Sequence, residues 1–459
     1  MPQPFDGDSR RLSHVAQFEA ILPEYLDRID WGQQELVVER RSRLRELLRA
    51  AVQFSPWHRE RLSGIDPREV TEADITGLPV MTKTDLMSRF DDIVTDSRLS
   101  RALCERHLDD ATPDEYLLDE YHVVASGGSS GQRGVFVYGR EAWAICWASI
   151  VRFQIRDWAS DPAMADIKRV TAVVAASKRS HISAAIGRTF STPASPRLSF
   201  PVTEPIERIV EWLNELQPTV LMGYSSFLPR LALEARSGRL RISPRRIVAI
   251  SEPLLPEARR AVEDAWQVPI ANGYGMSEGI FAGFCGRGVH LPDDLCLFEA
   301  VDREGRPVPL GGESQRVYVT NLYNTVLPLI RFEITDEVTI LDEDCPCGSA
   351  FRLIADPQGR LDDTFVYPGG ATVHPHLFRS VLGREQGIVE YQVRQTEQGA
   401  TIRVVADAPV DLGAVSADIA QALGVLGIGQ PEVSVEAVAH LDRQATGKLK
   451  RFTPLPAMK

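Results

Sequence analysis

Long apolar runs are missing from this chain. None approaches the ~18 residues that a bilayer-spanning helix needs, and the opening "MPQPFDGDSRRLSH" has no signal-type apolar region. The expectations are a cytoplasmic protein and no membrane partner. An excess of positive charge is missing too: 51 Lys and Arg stand against 63 Asp and Glu, a formal charge of −12. An acidic chain is a poor candidate for nucleic-acid binding. Its one basic cluster, "ERRSRLRELLRAAV", carries leucines at helical spacing and reads as a solvated helix face. Cysteine is scarce, with six in 459 residues. In a reducing compartment their spacing reads as metal chemistry, not disulfide chemistry. Internal repeats and low-complexity tracts are also absent. What remains is 44% hydrophobic and 25% charged. That is ordinary for a soluble globular enzyme, at a length that suits two or three cores.

The first hundred residues read as mostly helical, as in "QELVVERRSRLRELLRAAVQF", and Thr82 or Thr84 is placed to cap a helix. From about residue 120, short β-branched runs ("VTAVVAA", "TVLMGY", "RIVAIS", "VPIANGYG") alternate with helical patterns ("IERIVEWLNEL", "FLPRLALEARSG", "PEARRAVEDAW"). Such alternation implies parallel strands flanked by helices. Between about 296 and 355 the helices give way to strands of an antiparallel unit. After "GRLDD" a small α+β unit begins, with a hairpin around Glu397-Gln398-Gly399. In it, a helix places Leu412, Val415, Ile419 and Leu423 on one face. The fold class is therefore α/β: a large domain over residues 1–361 and a small α+β domain over 362–459.

Five stretches carry chemistry. "ASGGSSGQRG" (125–134) is rich in glycine and serine, and its backbone N–H groups and hydroxyls suit an anion. It is not a Walker loop, because Gln132-Arg133 follows Gly131, and not a dinucleotide fingerprint, because no Gly-x-Gly-x-x-Gly fits. "NGYGMSEG" (272–279) can offer a carboxylate to a metal and an aromatic face to a base. "PLIRFEITDEV" (328–338) sets Asp336 beyond a strand, where a carboxylate can accept from a sugar diol. "GRLDDTFVYPGG" (359–370) sits at the domain boundary, and "LDRQATGKLKRF" (441–452) puts Lys448 on a Thr-Gly turn. Taken singly, each also reads as an ordinary surface turn.

In this order and spacing, the five resemble the signature set of the adenylate-forming (acyl-CoA synthetase) superfamily over nearly the whole chain. Within it, "SPWHRERL", "LPVMTKTDL", "NLYNTVLPLIRFEITDEV", "CPCGS" and "GRLDD" look most like the phenylacetate–CoA ligase branch. The resemblance implies an ATP-dependent ligase. It converts a small, aromatic carboxylic acid to an acyl-adenylate and then transfers the acyl group to coenzyme A. By motif match, Ser126, Gly127, Gly128, Ser129, Ser130 and Gly131 would hold the β- and γ-phosphates. Glu278 would hold Mg²⁺, and Tyr274, Gly275, Ser277 and the run Ser251-Glu252-Pro253 would line the nucleotide. Asp336 and Arg360 would bind the ribose, Lys448 would bridge the acyl carboxylate and the α-phosphate, and Asp362 would be the hinge. Gly223, Tyr224 and His181 are the candidate acyl-pocket residues. Cys285, His290, Cys345 and Cys347 make a complete structural zinc set, with Cys296 as a substitute ligand. Cys104 and Cys146 read as core residues.

The chain also departs from that pattern. Gln132 stands where the loop usually has a lysine, with Arg133 as the replacement cation. Pro368-Gly369 stands where the branch has Arg-Gly, which weakens the case for coenzyme A. An amine or a carrier-protein thiol is the alternative acceptor, and a nucleotide-binding scaffold without turnover is a third reading. The partners implied are the acid and an acceptor, and a homodimer is compatible with the sequence.

Overall fold

The computed structural model describes residues 9–455 apart from 111–115, 127–132, 165, 177–179, 358, 361–362, 386 and 445–446; for residues 110, 359 and 360 it describes the backbone alone. The described chain forms two compact units that interleave in sequence. The first takes residues 1–170, 177–198 and 271–357, and the second 171–176, 199–270 and 358–459.

In the first unit the helices Ser9–Asp27 and Arg140–Ser160 pack together. Arg140–Ser160 buries residues all round at its centre, including Trp143, Cys146 and Phe153, so no clean amphipathic stripe marks it. Gln33–Phe54 does have a stripe: Leu36, Leu44, Leu47, Leu48 and Ala51 are buried. Its basic residues divide. Arg41 and Arg49 face solvent. Arg40 and Arg43 do not, which corrects the reading of this cluster as a solvated face. Arg40 pairs with Glu72 at 2.8 Å, and Arg43 pairs with Glu39 at 2.6 Å and donates to the Tyr25 hydroxyl. Mostly covered guanidinium groups need such partners. Thr82 is the N-cap of Lys83–Ser88, in a capping box with Asp85.

A hairpin joins His122–Ala125 to Val135–Tyr138, with Ala125 opposite Val135. Antiparallel pairing then builds a three-stranded sheet from Cys296–Val301, Arg316–Asn321 and Phe332–Ile334. A smaller sheet uses Gly283–Phe284, Val289–His290 and Leu353–Ile354. In the run "EVTILDED" (337–344), Glu337 ends the short strand Asp336–Glu337, and Thr339 and Ile340 make isolated bridges.

The second unit contains the parallel strands Thr171–Ala175, Val220–Tyr224 and Arg246–Ile250, in that order. They are buried almost throughout, as parallel strands with both faces covered must be. The helices Ile206–Leu216, Leu228–Arg236 and Pro256–Trp266 occupy the positions their apolar spacing predicts. The C-terminal segment forms a four-stranded sheet in the order Glu432–Ala437, Gly399–Ala406, Ile388–Gln395, Phe452–Thr453. Its central pair is the expected antiparallel hairpin, and the two outer pairings are parallel. Val415, Ile419 and Leu423 of helix Leu412–Val425 are buried, and Leu412 packs at the edge of their core.

Candidate functional site

In the first unit the chain leaves strand Ile270–Gly273 and turns tightly through Tyr274–Gly279. Backbone bonds close the turn from Met276 N–H to Ile280 and from Ala282 N–H to Tyr274, at 3.0 and 2.9 Å. Three buried side chains then fix its carbonyls. Tyr138 donates to Ser277 at 2.5 Å, Asn321 to Glu278 at 2.9 Å, and Tyr323 to Gly279. Burial pushes both tyrosine hydroxyls well above their ordinary pKa, so they remain donors. Gly279 has φ +89°, and a Cβ there would lie 2.4 Å from Asn321 Nδ2. Only glycine suits that conformation and space. The same turn brings Tyr274 to Asp336, its hydroxyl donating to Oδ2 at 3.2 Å, with both residues buried. Sequence-predicted Tyr274, Gly275, Ser277, Glu278 and Asp336 thus belong to this one unit, and Tyr274 and Asp336 touch.

The glycine-rich loop is described only at its base, since 127–132 lie outside the described residues. Ser126 N–H donates to Gly134 O at 2.9 Å, and Gly134 N–H returns to Ser126 Oγ at 3.0 Å. Lys83 Nζ donates to the same Ser126 Oγ at 3.1 Å. Sequence reasoning missed Lys83. Its signal was the capped helix start in "MTKTDL", which aims a first-turn lysine at the loop. Arg133 is half exposed and lies 3.5 Å from Asp109.

In the second unit, Lys448 sits with its ammonium 5.8 Å from the centre of the Tyr224 ring, a cation–π contact. The Tyr224 hydroxyl accepts from Ala176 N–H at 3.0 Å, and burial raises its pKa. Gly223 closes against its neighbours: a Cβ would meet Leu228 Cδ2 at 3.1 Å and Val174 O at 3.2 Å. Ser251 has φ +66°, a left-handed conformation that sends the chain sharply into Glu252-Pro253. Glu252 takes two backbone N–H groups, from Ser226 at 3.0 Å and Leu449 at 2.9 Å. His181, in the first unit, occupies the N-cap of helix Ile182–Thr189, and its side chain makes no cap bond. Arg360 lies in a short strand and is described by backbone alone; Asp362 lies outside the described residues.

The metal candidates do converge. One ligand atom from each of Cys285, His290, Cys345 and Cys347 lies within 4.8 Å of the others. Cys285 Sγ is 3.5 Å from Cys345 Sγ and 3.2 Å from His290 Nε2, and Cys347 Sγ is 3.4 Å from that same nitrogen. A tetrahedral ion with metal–sulfur bonds of ~2.3 Å spaces its ligand atoms by about 3.8 Å; the three separations above are somewhat shorter than this, while the group as a whole spreads to 4.8 Å and would draw in around an ion. His290 Nδ1–H donates to Phe351 O at 2.9 Å, which turns the Nε2 lone pair toward the sulfurs. Phe153 stacks on the ring at 4.6 Å, and Arg156 donates to Cys347 Sγ at 3.4 Å. Burial raises the Cys285 thiol and pushes Cys345 up to about 12. Burial acts the same way on Cys347, but the Ser349 N–H, the two thiols and Arg156 outweigh it, so its pKa falls. Cys296 is buried in the core beside Phe298 and is no part of this group, which corrects its reading as a substitute ligand.

No protein-family model matches the chain. A stretch of 142 residues is 28% identical to Protein CapK of Staphylococcus aureus, and it covers 30% of this chain and 30% of that protein. Solved structures align far more widely. 2-Hydroxyisobutyryl-CoA ligase in its postadenylation state, with R3-HIB-AMP, gives a TM-score of 0.71 at 19% identity over 93% of this chain and 91% of that one. An open conformation of the same ligase, with 2-HIB-AMP and CoA, gives 0.56 at 19% identity over 94% and 93%. Anthranilate CoA ligase AuaEII with anthranoyl-AMP gives 0.50 at 18% identity over 72% and 65%. The likeness carries the fold: this chain has the fold of the adenylate-forming acyl-CoA ligases.

Proposed function

We propose that the protein activates a small carboxylic acid with ATP, forming an acyl-adenylate and pyrophosphate, and then passes the acyl group to coenzyme A. The observation that carries this reading is the tied turn Tyr274–Gly279, with Tyr274 hydrogen-bonded to buried Asp336. In this reading Tyr274 lies along the adenine and Asp336 accepts from the ribose hydroxyls. The backbone of the turn fixes Glu278, which holds Mg²⁺ against the phosphates. Lys448 supplies the cation for charge that builds on the α-phosphate and the acyl carboxylate. Ser126 and the glycines after it take the β- and γ-phosphates. Lys83, already on Ser126, supplies a cation at the loop base where Gln132 cannot. Arg360 assists at the ribose, Asp362 is the hinge, and residues 362–459 form the mobile domain. The acid is aromatic in this reading, with Gly223 and Tyr224 about its pocket. Zn²⁺ in the Cys285, His290, Cys345 and Cys347 group is structural, because all four positions are filled by protein ligands.

A second reading keeps adenylation and changes the acceptor to an amine or a carrier thiol. Gly369 and Gly370 favour it in part: with φ of +91° and +86° and, among the described residues, nothing within 4 Å of either Cβ position, they leave room for an acceptor but add no basic group. Pyrophosphate release across aryl, hydroxy and aliphatic acids with Mg²⁺ tests the shared step. Product mass with and without coenzyme A separates the two acceptors. A panel that yields neither pyrophosphate nor AMP sinks both.

A further inference from the structure

The turn that carries Lys448 is held at both shoulders, and the groups that hold it are charged. Gln444 N–H donates to Lys448 O at 3.0 Å, and Gly447 N–H to Gln444 O at 2.7 Å, so the backbone closes on itself. Gly447 has φ +77°, and a Cβ there would sit 2.0 Å from Val202 Cγ1, so the turn is pressed onto the buried Val202 side chain. On the far side of the lysine, Leu449 N–H donates to Glu252 Oε1 at 2.9 Å. The other oxygen, Oε2, accepts from Ser226 N–H at 3.0 Å. On the near side, Arg443 Nη1 donates to Gly447 O at 3.2 Å and to Ser226 Oγ at 2.9 Å. Its Nη2 pairs with buried Glu390. Ser226 lies two residues beyond Tyr224, whose ring sits beneath the lysine ammonium.

We infer that Glu252 and Arg443 are positioning residues for Lys448: a two-point clamp that ties residues 447 and 449 to Ser226 and so sets the ammonium over Tyr224. Glu252 then serves the lysine instead of the nucleotide. Both of its oxygens are engaged by backbone N–H groups, and hydrogen bonds to a carboxylate are the strong kind. Arg443 is braced by an acid that is itself buried, so its fork cannot swing away without leaving that charge unpaired. The inference rests on the reading above for what Lys448 does; the clamp itself rests on geometry alone.

The test uses Glu252→Gln in the full-length protein. The amide keeps shape and volume but turns an N–H toward one of the two donors. Acid-dependent exchange of pyrophosphate into ATP should fall in kcat by about ten- to a hundredfold, the range expected when a reacting group is displaced by an ångström or less. KM for ATP should hold. In a Lys448→Ala background the same substitution should cost nothing further, because the two act as one unit. Arg443→Lys, which keeps the charge beside Glu390, should show the same pattern more weakly. A readout free of activity accompanies these: acetic anhydride labelling, read by peptide mass at Lys448 against exposed Lys450, should quicken at Lys448 in Glu252→Gln. A weakened KM for ATP with kcat preserved would make Glu252 a nucleotide ligand and overturn the clamp. So would a full-sized loss in the Lys448→Ala background, or unchanged labelling. If the wild type exchanges pyrophosphate with no acid at all, the proposed function fails, and the labelling still decides the clamp.

Discussion

The Tyr274–Gly279 turn and the Gly447–Leu449 turn each carry a residue to which the proposed function assigns chemistry, yet they are held in different ways. The first is embedded. Tyr138, Asn321 and Tyr323 fix three successive carbonyls, all three are buried, and Asn321 also accepts from the N–H groups of Tyr323 and Asn324 at 3.1 Å. The second leans on Val202 and on two charged side chains. A turn fixed by the core cannot be altered without unsettling the core. A turn fixed by a few polar contacts can be moved while the unit around it stays folded. The first should therefore report mainly in stability, the second mainly in rate.

Lys448→Ala gives the largest effect expected from this contrast. Pyrophosphate release should fall on the order of 10²–10³-fold, with the unfolding midpoint in denaturant unchanged. Next comes the metal group, which sits in the same unit as the embedded turn. Cys345→Ser should lower bound zinc, measured by atomic emission, from one per chain, and should lower the melting temperature by several degrees. Structural metal binding is folding free energy. Asn321→Ala should cost about 2–3 kcal/mol in denaturant, because it strands buried donors and the Glu278 carbonyl. A larger fall in rate than in stability there would erase the contrast between the turns.

The most gradual effect is in pH. His14 and His58 are buried, and burial lowers their pKa to about 4 and about 3. His14 Nε2–H donates to Arg140 O at 2.7 Å and His58 Nε2–H to Pro328 O at 3.0 Å, bonds that a neutral ring satisfies. The unfolded chain takes up these protons below about pH 6.5, while the folded chain resists. Stability should be flat above that pH and fall between pH 6.5 and 4, by up to about 1.4 kcal/mol per pH unit for each ring. His58→Asn should flatten part of that slope in pH-dependent melting.

Much of the fold was legible where one face of an element is apolar. Ile206–Leu216 and Pro256–Trp266 follow their periodicity, and the hairpin at Glu397-Gln398 follows its alternation. Arg140–Ser160 was not legible, because a helix buried all round its middle shows no stripe. The convergence of Cys285, His290, Cys345 and Cys347 was legible from chemistry, since two short-spaced pairs of soft ligands complete one another. The ties that hold the site were hidden. Nothing near Asn321 in sequence points to Glu278, and Glu252 and Leu449 are 197 positions apart. Lys83 and Ser126, 43 apart, are joined only by tertiary packing. Ligand types are written locally, whereas their supports are long-range.

The most direct test of the central claim is exchange of labelled pyrophosphate into ATP, with Mg²⁺ and each acid of the panel but no acceptor. The account predicts exchange that depends on the acid, appears without coenzyme A, and all but vanishes in Lys448→Ala. Exchange at full rate in Lys448→Ala, or none with any acid in a wild type that binds ATP, would contradict it.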